Sequence, residues 1–394
     1  MEKEMKKEVE TEAYAYWLNH ITGLGNRTRK ELSKYAGSPK DVFAMPEKEV
    51  RQLIGNKKTE LLMKGRDKEN MLLEYDNFSK GEIKFLSCFH KEYPYKLSQI
   101  EDAPFGIYVW GNLPSPSKKA VAVIGARQCS VYGEYIAKLC GTKLAEAGIE
   151  VISGMARGID GISQAAAIEA GGNTYAVLGC GVSICYPQEN GVLYEKIKGA
   201  GGLISEFSPD TTPKAPFFPL RNRIISGLAD AVLIIEAREK SGTLITADMA
   251  LEQGREVFVV PGRVTDTLSE GCNRLIKQGA AIFTSVEEML EEMAIGGKTV
   301  GNDEIKKENQ SVNKNKMVKE TVKETVKETE NEKRTGLEQK LWNILDCYPQ
   351  SVENIKTRTN GDYREIIYIL TKLCMEGKVR QISAGSYIKN DMPI

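Results

Sequence analysis

The sequence predicts an α/β fold in which a mostly parallel sheet is covered by helices on both faces. Six short apolar runs rich in Val and Ile follow one another between residues 119 and 284, and amphipathic helical patterns separate them. Near-continuous apolar strands that alternate with helices are typical of a buried parallel sheet. The runs are AVAVIG (120–125), EVISG (150–154), TYAVLG (174–179), GLISEF (202–207), AVLIIEA (231–237) and VFVVPG (257–262).

Glycines, hydroxyls and cations follow several of these runs, at the place where ligands of parallel α/β sheets bind. In GARQCS, Gly125 permits a tight turn, Ser130 is expected to cap the next helix, and Arg127 adds donors to N–H groups that favour an anion. In SGMARGID, Asp160 is the expected N-cap. The two turns predict a phosphate-binding rim, although glycines in such turns also serve simply to bend the chain. Neither turn is a G-x-G-x-x-G fingerprint or a P-loop, which disfavours dinucleotide and triphosphate binding.

Three further loops are suited to the same cleft. The stretch SPDTTPKAPFFPLRNR (208–223) interleaves Phe217 and Phe218 with cations, and a helix is expected after Arg221. That composition suits stacked bases and paired phosphates of a single strand. In the alternative, the phenylalanines belong to the core and the arginines cap a helix surface. KSGTLITA (240–247) offers another phosphate-suited helix start, and CGVSICYPQEN also follows a strand end.

The N-terminal segment has a helical pattern from about residue 11 to residue 77. GLG (23–25) between two short helices resembles a helix-hairpin-helix, whose amides approach a phosphate backbone, and Arg27, Arg29 and Lys30 follow it. LIGNKKTELLMKG is a second hairpin-like segment. The alternative is a small helical packing module. A strand is expected at 83–86.

The C-terminal part of the sequence changes in composition after Met293. The polar stretch that follows contains VKETVKETVKET (318–329), which favours a solvated linker. Residues 337–389 then predict three helices, the second capped by Ser351, and a two-stranded hairpin, which together make a winged helix. Such a unit contacts either DNA or another protein. The expected domains are a helical one (1–80, SAM- or helix-hairpin-helix-like), a Rossmann-like core (81–296), a linker (297–335) and the winged helix (336–394).

Composition limits the possible chemistry. Lys and Arg number 54, as do Asp and Glu, so any nucleic-acid affinity has to come from a local patch. The eight cysteines form no C-x-x-C, and His20 and His90 are the two histidines, which argues against a zinc site and against His-dependent catalysis. The sequence has no apolar leader and no long apolar stretch. We therefore expect a cytoplasmic protein with no metal, no cofactor and no membrane contact.

The core motifs resemble those of the DNA-processing protein A family, also called DprA or Smf. The resemblance covers about residues 93–281 and includes the lead-in YPYKLSQIEDAPFGIYVWGN. Within the core it is carried by GARQCS, SGMARGID, AVLGCGVSICYPQEN, ISEF, FPLRNRIISGLADAVLIIEA, KSGTLITADMALEQGREVFVVPG and GCNRLIKQGA. The agreement of so many ordered blocks makes the resemblance specific.

This resemblance implies a dimeric protein that binds single-stranded DNA cooperatively and loads the recombinase RecA during natural transformation. It implies that Arg127 clamps a phosphate and that Phe218 stacks on a base. Where the family usually has Ala-His, this chain has Ser163 and Gln164. The expected DNA-binding residues are Gly125, Arg127, Ser130, Ser153, Gly154, Arg157, Gly158, Lys214, Phe218, Arg221, Asn222, Arg223, Lys240, Ser241, Gly242 and Thr243.

Two alternatives compete with a DNA-binding recombination mediator that has no catalytic residues. The core also resembles, distantly, nucleotide-processing enzymes such as phosphoribohydrolases, and Gly242, Thr243 and Glu252 stand in a related order. The Pro-Gly-Gly start of those enzymes is missing, although Glu206 and Glu236 lie at strand ends. The other alternative is an interaction scaffold whose winged helix and linker recruit partners.

Overall fold

The computed structural model describes residues 2–296, 336–345, 349–383 and 385–389. These residues fall into two compact units, divided after residue 296. The expected linker at 297–335, with its VKET repeat, lies outside the described residues. In the part of the chain that is described, no helix is both long and apolar enough to cross a membrane.

Five helices precede the sheet. The chain turns between the first two at Gly23 (φ 89°), and helical geometry is broken at Gly55 (φ 75°), inside the second hairpin-like segment. Trp17 and Leu32 of these helices pack in one cluster with Tyr108 of the sheet, which explains why the helices belong to the first compact unit. The helices are α1 (Glu2–His20), α2 (Asn26–Ala36), α3 (Pro39–Ala44), α4 (Glu47–Lys64) and α5 (Lys68–Ser79).

A sheet of nine strands forms the centre of the first unit, in the order β1-β2-β6-β5-β4-β3-β7-β8-β9. Strands β3 to β9 are parallel, and β1 and β2 add an antiparallel edge. All six predicted apolar runs form strands, β3 to β8, so the sheet prediction is confirmed. The strands are β1 (Ile83–Ser87), β2 (Gly106–Gly111), β3 (Ala120–Ile124), β4 (Glu150–Ser153), β5 (Thr174–Val177), β6 (Gly201–Ser205), β7 (Ala231–Ile234), β8 (Glu256–Val259) and β9 (Ala281–Ile282).

Helices cover both faces of this sheet. Along β3, Val121 and Val123 point into one buried cluster, whereas Ala122 and Ile124 point into another, as the two-residue period of a strand requires. The helices are α6 (Tyr95–Ser98), α7 (Val131–Glu146), α8 (Ile159–Glu169), α9 (Gly191–Ala200), α10 (Phe217–Leu228), α11 (Gly242–Glu252), α12 (Glu270–Lys277) and α13 (Val286–Gly296).

Two predicted helix starts need correction. Ser130 caps α7 as predicted, because its Oγ accepts the Gly133 N–H at 3.0 Å. Asp160, however, is not the N-cap of α8; Gly158 (φ 70°) occupies that position, and Asp160 lies inside the first turn. Helix α10 begins at Phe217 rather than after Arg221. Pro219 fits this earlier start, because the first turn of a helix has N–H groups without intrahelical partners.

The described residues of the second unit form three helices and a three-stranded antiparallel sheet of order β10-β12-β11. Leu341, Ile355, Ile366 and Leu370 are among the residues of its own buried cluster. Ser351 caps the second helix, as predicted, by accepting the Asn354 N–H at 3.1 Å. The elements are α14 (Gly336–Ile344), β10 (Gln350–Ser351), α15 (Val352–Thr359), α16 (Tyr363–Met375), β11 (Val379–Ser383) and β12 (Ser386–Lys389).

Candidate functional site

The main cavity of interest lies where the sheet reverses its strand order. Strand β3 has β4 on one side and β7 on the other, so the chain leaves the sheet centre in two directions. Open α/β sheets bind ligands in the crevice that such a switch point creates. A cavity of about 650 Å³ opens there, between the loops that follow β3 and β7 and the start of α10. Its lining includes nine of the expected residues: Gly125, Arg127, Phe218, Arg221, Asn222, Lys240, Ser241, Gly242 and Thr243.

An aromatic and cationic cluster forms one wall. The guanidinium carbon of Arg127 lies 5.5 Å from the centre of the Phe218 ring. The Tyr186 ring centre lies 5.4 Å from that of Phe218, with 38° between the planes. Phe218 is held from behind by close packing, since a Cβ on Gly179 would come within 2.7 Å of it. The cavity therefore presents two rings and one exposed cation side by side.

The opposite wall is the start of α11. Ser241 caps this helix by accepting the Thr243 N–H at 3.2 Å, and the Thr243 hydroxyl donates to the Gly125 carbonyl at 3.3 Å. The Asn222 amide donates to the Gly242 carbonyl at 3.5 Å, which links α10 to the same turn. The positive end of the α11 dipole thus meets the cavity, beside the exposed Lys240.

Arg221 and Asp160 form the floor. Arg221 is buried and donates to the carbonyls of Gly154, at 2.9 Å, and of Val177. Asp160 accepts the Gly154 N–H at 3.2 Å. Burial lowers the pKa of Arg221 to about 10, an effect that Asp160 opposes. Burial raises the pKa of Asp160, and Arg221 opposes that shift. These two side chains brace the loop after β4 beneath the cavity, and their opposite charges act on each other.

The start of α7 is already occupied by a carboxylate of the chain itself. Glu236, which is 3% exposed, accepts the Ser130 N–H at 2.9 Å and the Ser130 hydroxyl at 2.5 Å. At the helix start that the sequence suggests for an external anion, the Ser130 N–H therefore has a partner within the chain. Ser130 is outside the lining of the main cavity.

Several other expected residues also lie outside the main cavity. The Ser153 hydroxyl donates to the Val123 carbonyl at 2.6 Å within the core. Gly158 lies so close to the Ala126 carbonyl that a Cβ would collide with it. The Lys214 ammonium lies 5.8 Å from the ring centre of Phe217, which is stacked on Phe207.

Arg223 faces away from the cavity although it is only two residues from Arg221. Its side chain is 5% exposed and forms ion pairs with Glu206 and, at 2.9 Å, with Asp102. Arg157, in contrast, is exposed beside a smaller adjoining cavity and pairs with Glu189.

Two residues of the site were not singled out by the sequence. Tyr186 lies in the loop CGVSICYPQEN, which was expected to line the cleft, but the aromatic itself carried no separate signal. Arg238 lines the smaller cavity and follows the AVLIIEA run directly. A cation immediately after a central strand is the signal that could have identified it. Among the described residues, no three His, Cys, Asp or Glu side chains are arranged to hold a metal ion.

Comparison with known proteins identifies the family. A family model described as DNA recombination-mediator protein A matches residues 84–294, more than half of the 394-residue chain. The chain belongs to this family. The X-ray structure of DNA processing protein A (DprA) from Streptococcus pneumoniae is 32% identical and superposes with a TM-score of 0.64, covering 71% of this chain and 97% of that one.

Two relatives with curated names show how far the similarity to the DNA recombination-mediator protein A family extends. Protein Smf of Escherichia coli is 45% identical over 205 residues, and DNA processing protein DprA of Bacillus subtilis is 41% identical over 204 residues. Each match covers 52% of this chain. The matched part is 55% of the E. coli protein and 69% of the B. subtilis protein. The chain therefore spans little more than half the length of the E. coli relative.

Gln164 replaces the histidine that the resemblance to the recombination-mediator family leads one to expect, and it is fully buried. Its Oε1 accepts the Met155 N–H at 3.0 Å, and its Nε2 donates to Thr174 Oγ1 at 3.1 Å and to the Tyr175 carbonyl at 3.0 Å. Met155 has φ 52°, a left-handed conformation that such a bond helps to hold. Gln164 therefore positions the loop after β4 from within the core.

Proposed function

We propose that this chain binds single-stranded DNA in the cavity at the switch point and acts as a recombination mediator that protects incoming DNA and loads RecA during natural transformation. The observation that carries the proposal is the lining of the cavity, which brings the cations of Arg127 and Lys240 together with the rings of Phe218 and Tyr186. Rings that receive bases beside cations that receive phosphates suit a single strand of any sequence. Family membership and the name of the B. subtilis relative support the same proposal.

Binding without catalysis accounts better for the carboxylates near the cavity. Glu206 is paired with Arg223, and Glu236 is bonded to Ser130. Glu252 is the last residue of α11, whereas Gly242 is its first, so the two lie roughly 15 Å apart at 1.5 Å per residue. The arrangement expected for a phosphoribohydrolase is therefore not assembled around Gly242.

The experiment that tests this proposal is fluorescence anisotropy of a labelled single-stranded oligonucleotide at low and moderate salt. We expect salt-sensitive binding that Arg127→Ala weakens at least tenfold, because a charge-assisted contact contributes about 1.5–3 kcal/mol. Lys138→Ala is the matched control, since Lys138 is 60% exposed on α7 outside the cavity. Equal binding by the two variants would refute the site. If the wild type does not bind at all, release of free base from nucleoside monophosphates becomes the decisive assay.

We further propose roles for the flanking parts, with domain boundaries at residues 80, 296 and 335. The N-terminal helices would form a SAM- or helix-hairpin-helix-like module, and the C-terminal unit a winged helix. On α16, Tyr368 and Met375 are 71% and 85% exposed, which suits a protein partner better than a phosphate backbone. We also propose that the chain forms a homodimer, and light scattering of the purified protein tests this. RecA loading is tested by RecA filament formation on DNA already coated with a single-strand-binding protein.

A further inference from the structure

A second, smaller cavity of about 340 Å³ adjoins the first. Ala126, Arg127, Lys240 and Ser241 line both cavities, so the two are separated only by residues that they share. The second cavity adds Gln128, Arg157, Arg238 and Leu268. A ligand that leaves the main cavity past Arg127 and Lys240 therefore enters this one.

The second cavity is strongly cationic. Arg127, Arg157, Arg238 and Lys240 are all exposed at its surface. Of these cations, Arg157 is paired with Glu189, and Glu239, the residue after Arg238, lies 3.8 Å from Arg274, outside the cavity. Within the described residues, the Arg238 side chain takes part in no hydrogen bond or ion pair. Four cations around so small a space favour a group with concentrated negative charge, such as a phosphate.

The backbone that carries Arg238 is held firmly in place. The Ala237 N–H donates to the Leu268 carbonyl at 2.8 Å, and the Gly271 N–H donates to the Ala237 carbonyl at 2.8 Å. A Cβ on Gly271 would come within 2.6 Å of the Arg238 carbonyl oxygen, so α12 presses directly against this segment. Arg238 therefore projects from a segment after β7 whose backbone these contacts hold in place, and mainly its side chain has to be ordered on binding.

We infer that the second cavity receives the phosphate of the neighbouring nucleotide, and that Arg238 makes the site select a phosphodiester-linked chain over a free mononucleotide. This inference rests on the proposed function, because it assumes that the main cavity holds one nucleotide of a DNA strand. It requires that the two cavities together hold at least two consecutive phosphates of the strand, one on each side of Arg127 and Lys240. Arg238 is thus a specificity-determining residue.

The test compares a ligand with one phosphate and a ligand with two. Thymidine 5′-monophosphate and the 5′-phosphorylated dithymidine dinucleotide each compete with a labelled oligonucleotide for the full-length protein. In the wild type we expect the dinucleotide to compete at least tenfold better. In Arg238→Ala this ratio should fall several-fold while competition by the mononucleotide stays as in the wild type. Arg274→Ala should keep the wild-type ratio, because Arg274 carries the same charge nearby without lining either cavity.

A second readout is the salt dependence of oligonucleotide binding. Removing one phosphate contact from a single strand should lower the slope of log K against log salt by about 0.7. An unchanged ligand ratio in Arg238→Ala, or the same loss in Arg274→Ala, overturns the inference and leaves strand binding in the main cavity intact. Absence of oligonucleotide binding by the wild type overturns the proposed function itself, so the two failures are distinguishable.

Discussion

At the scale of single residues, the Phe218 ring decides how a base could be received. Arg127 lies over this ring at 5.5 Å, and Tyr186 lies next to it. A base that stacks on Phe218 takes the place of the guanidinium, which is then free to meet a phosphate. Cation–π contacts at exposed sites contribute only about 0.5–1 kcal/mol, less than base stacking, so this exchange is favourable.

Stacking predicts a graded response to substitution. Phe218→Ala should weaken single-strand binding by about 1–3 kcal/mol. Tyr186→Ala should also weaken it, whereas Tyr186→Phe should bind like the wild type because the ring is kept. Titration of a labelled oligonucleotide with each variant measures the loss. Equal affinity of Tyr186→Ala and Tyr186→Phe would exclude a role for the second ring.

Arg223 should affect stability rather than DNA contact. Its guanidinium neutralises Glu206, whose side chain is 10% exposed. Arg223→Ala leaves this carboxylate buried without its partner, which costs about 3–5 kcal/mol. The double variant Arg223→Met with Glu206→Gln should recover most of that loss. Urea unfolding of the single and double variants measures the free energies, and a fully stable Arg223→Ala would contradict the prediction.

The sequence predicted part of the site and could not predict the rest, for a reason visible at Arg221 and Arg223. Glycines, hydroxyls and Arg127 after the strands were predictable, because strand ends meet at one edge of a parallel sheet. A loop from Lys214 to Arg223 would bring both later arginines to one pocket, and that is the arrangement that the sequence leads one to expect. On the helix that actually forms, residues two positions apart point about 200° apart. Arg221 therefore faces the cavity, whereas Arg223 lies on the opposite side of the helix.

At the scale of secondary-structure elements, the packing of α7 on α8 depends on one glycine. A Cβ on Gly141 would collide with the Ser163 carbonyl oxygen and lie 3.0 Å from the Ala166 side chain. These helices carry the loops after β3 and β4 on their N-terminal ends. Their close approach therefore determines the spacing of the two loops at the cavity.

Gly141→Ala should destabilise the protein by about 1–3 kcal/mol, the usual cost of overpacking. Gly199→Ala is the matched control, because Gly199 lies in α9 with nothing within 4 Å of an added Cβ. The control should gain up to about 1 kcal/mol from helix propensity. Denaturant titrations of both variants compare the free energies of unfolding, and a stable Gly141→Ala would show that the helices separate without cost.

The junction of α1 with the sheet should be sensitive to acid. His20 Nδ1 is bonded to the Tyr16 carbonyl at 2.8 Å, and Nε2 lies 3.2 Å from the Tyr108 hydroxyl, whose oxygen also accepts from Asn19 at 3.2 Å. The Tyr108 proton is thus directed at a neutral imidazole, and burial lowers the pKa of His20 below 6.5.

Because the folded-state pKa of His20 is lowered, the unfolded chain binds a proton first as pH falls. Stability should therefore be full above the ordinary value of 6.5 and should decline below it, down to the lowered pKa. The measurement is the difference in melting temperature between pH 7.5 and pH 5.5 for wild type and His20→Gln. A smaller decrease in the variant supports the prediction, and identical decreases would contradict it.

At the scale of the whole molecule, the two compact units have separate buried clusters. The parallel sheet and the helices on both its faces were predictable, because apolar runs that alternate with helices specify such a sheet whatever its loops do, but the strand order was not predicted. The packing of the N-terminal helices against the sheet was not predictable. It depends on Tyr108 and Phe105 meeting Trp17 and Leu32, and such contacts leave no periodic pattern in the sequence.

Because the two compact units have separate buried clusters, we expect them to unfold separately. Deletion of residues 298–394 should leave single-strand affinity within about twofold of the full chain, since both cavities lie in the first unit. Calorimetry of the full chain should show two transitions, and the truncated chain should keep one of them unchanged. A large loss of affinity on truncation would assign strand contact to the C-terminal unit.

The carboxylate of Glu236 at the start of α7 has a consequence for competition inside a cell. In many sheets of this kind the corresponding helix start binds the pyrophosphate of a soluble coenzyme. Here a second negative charge at that position would be repelled by Glu236, and Gly133 packs so tightly on the carboxylate that no side chain fits between them. We therefore expect that the pyrophosphate of such a coenzyme does not bind at the start of α7, so that the abundant coenzymes of metabolism compete poorly for this helix start.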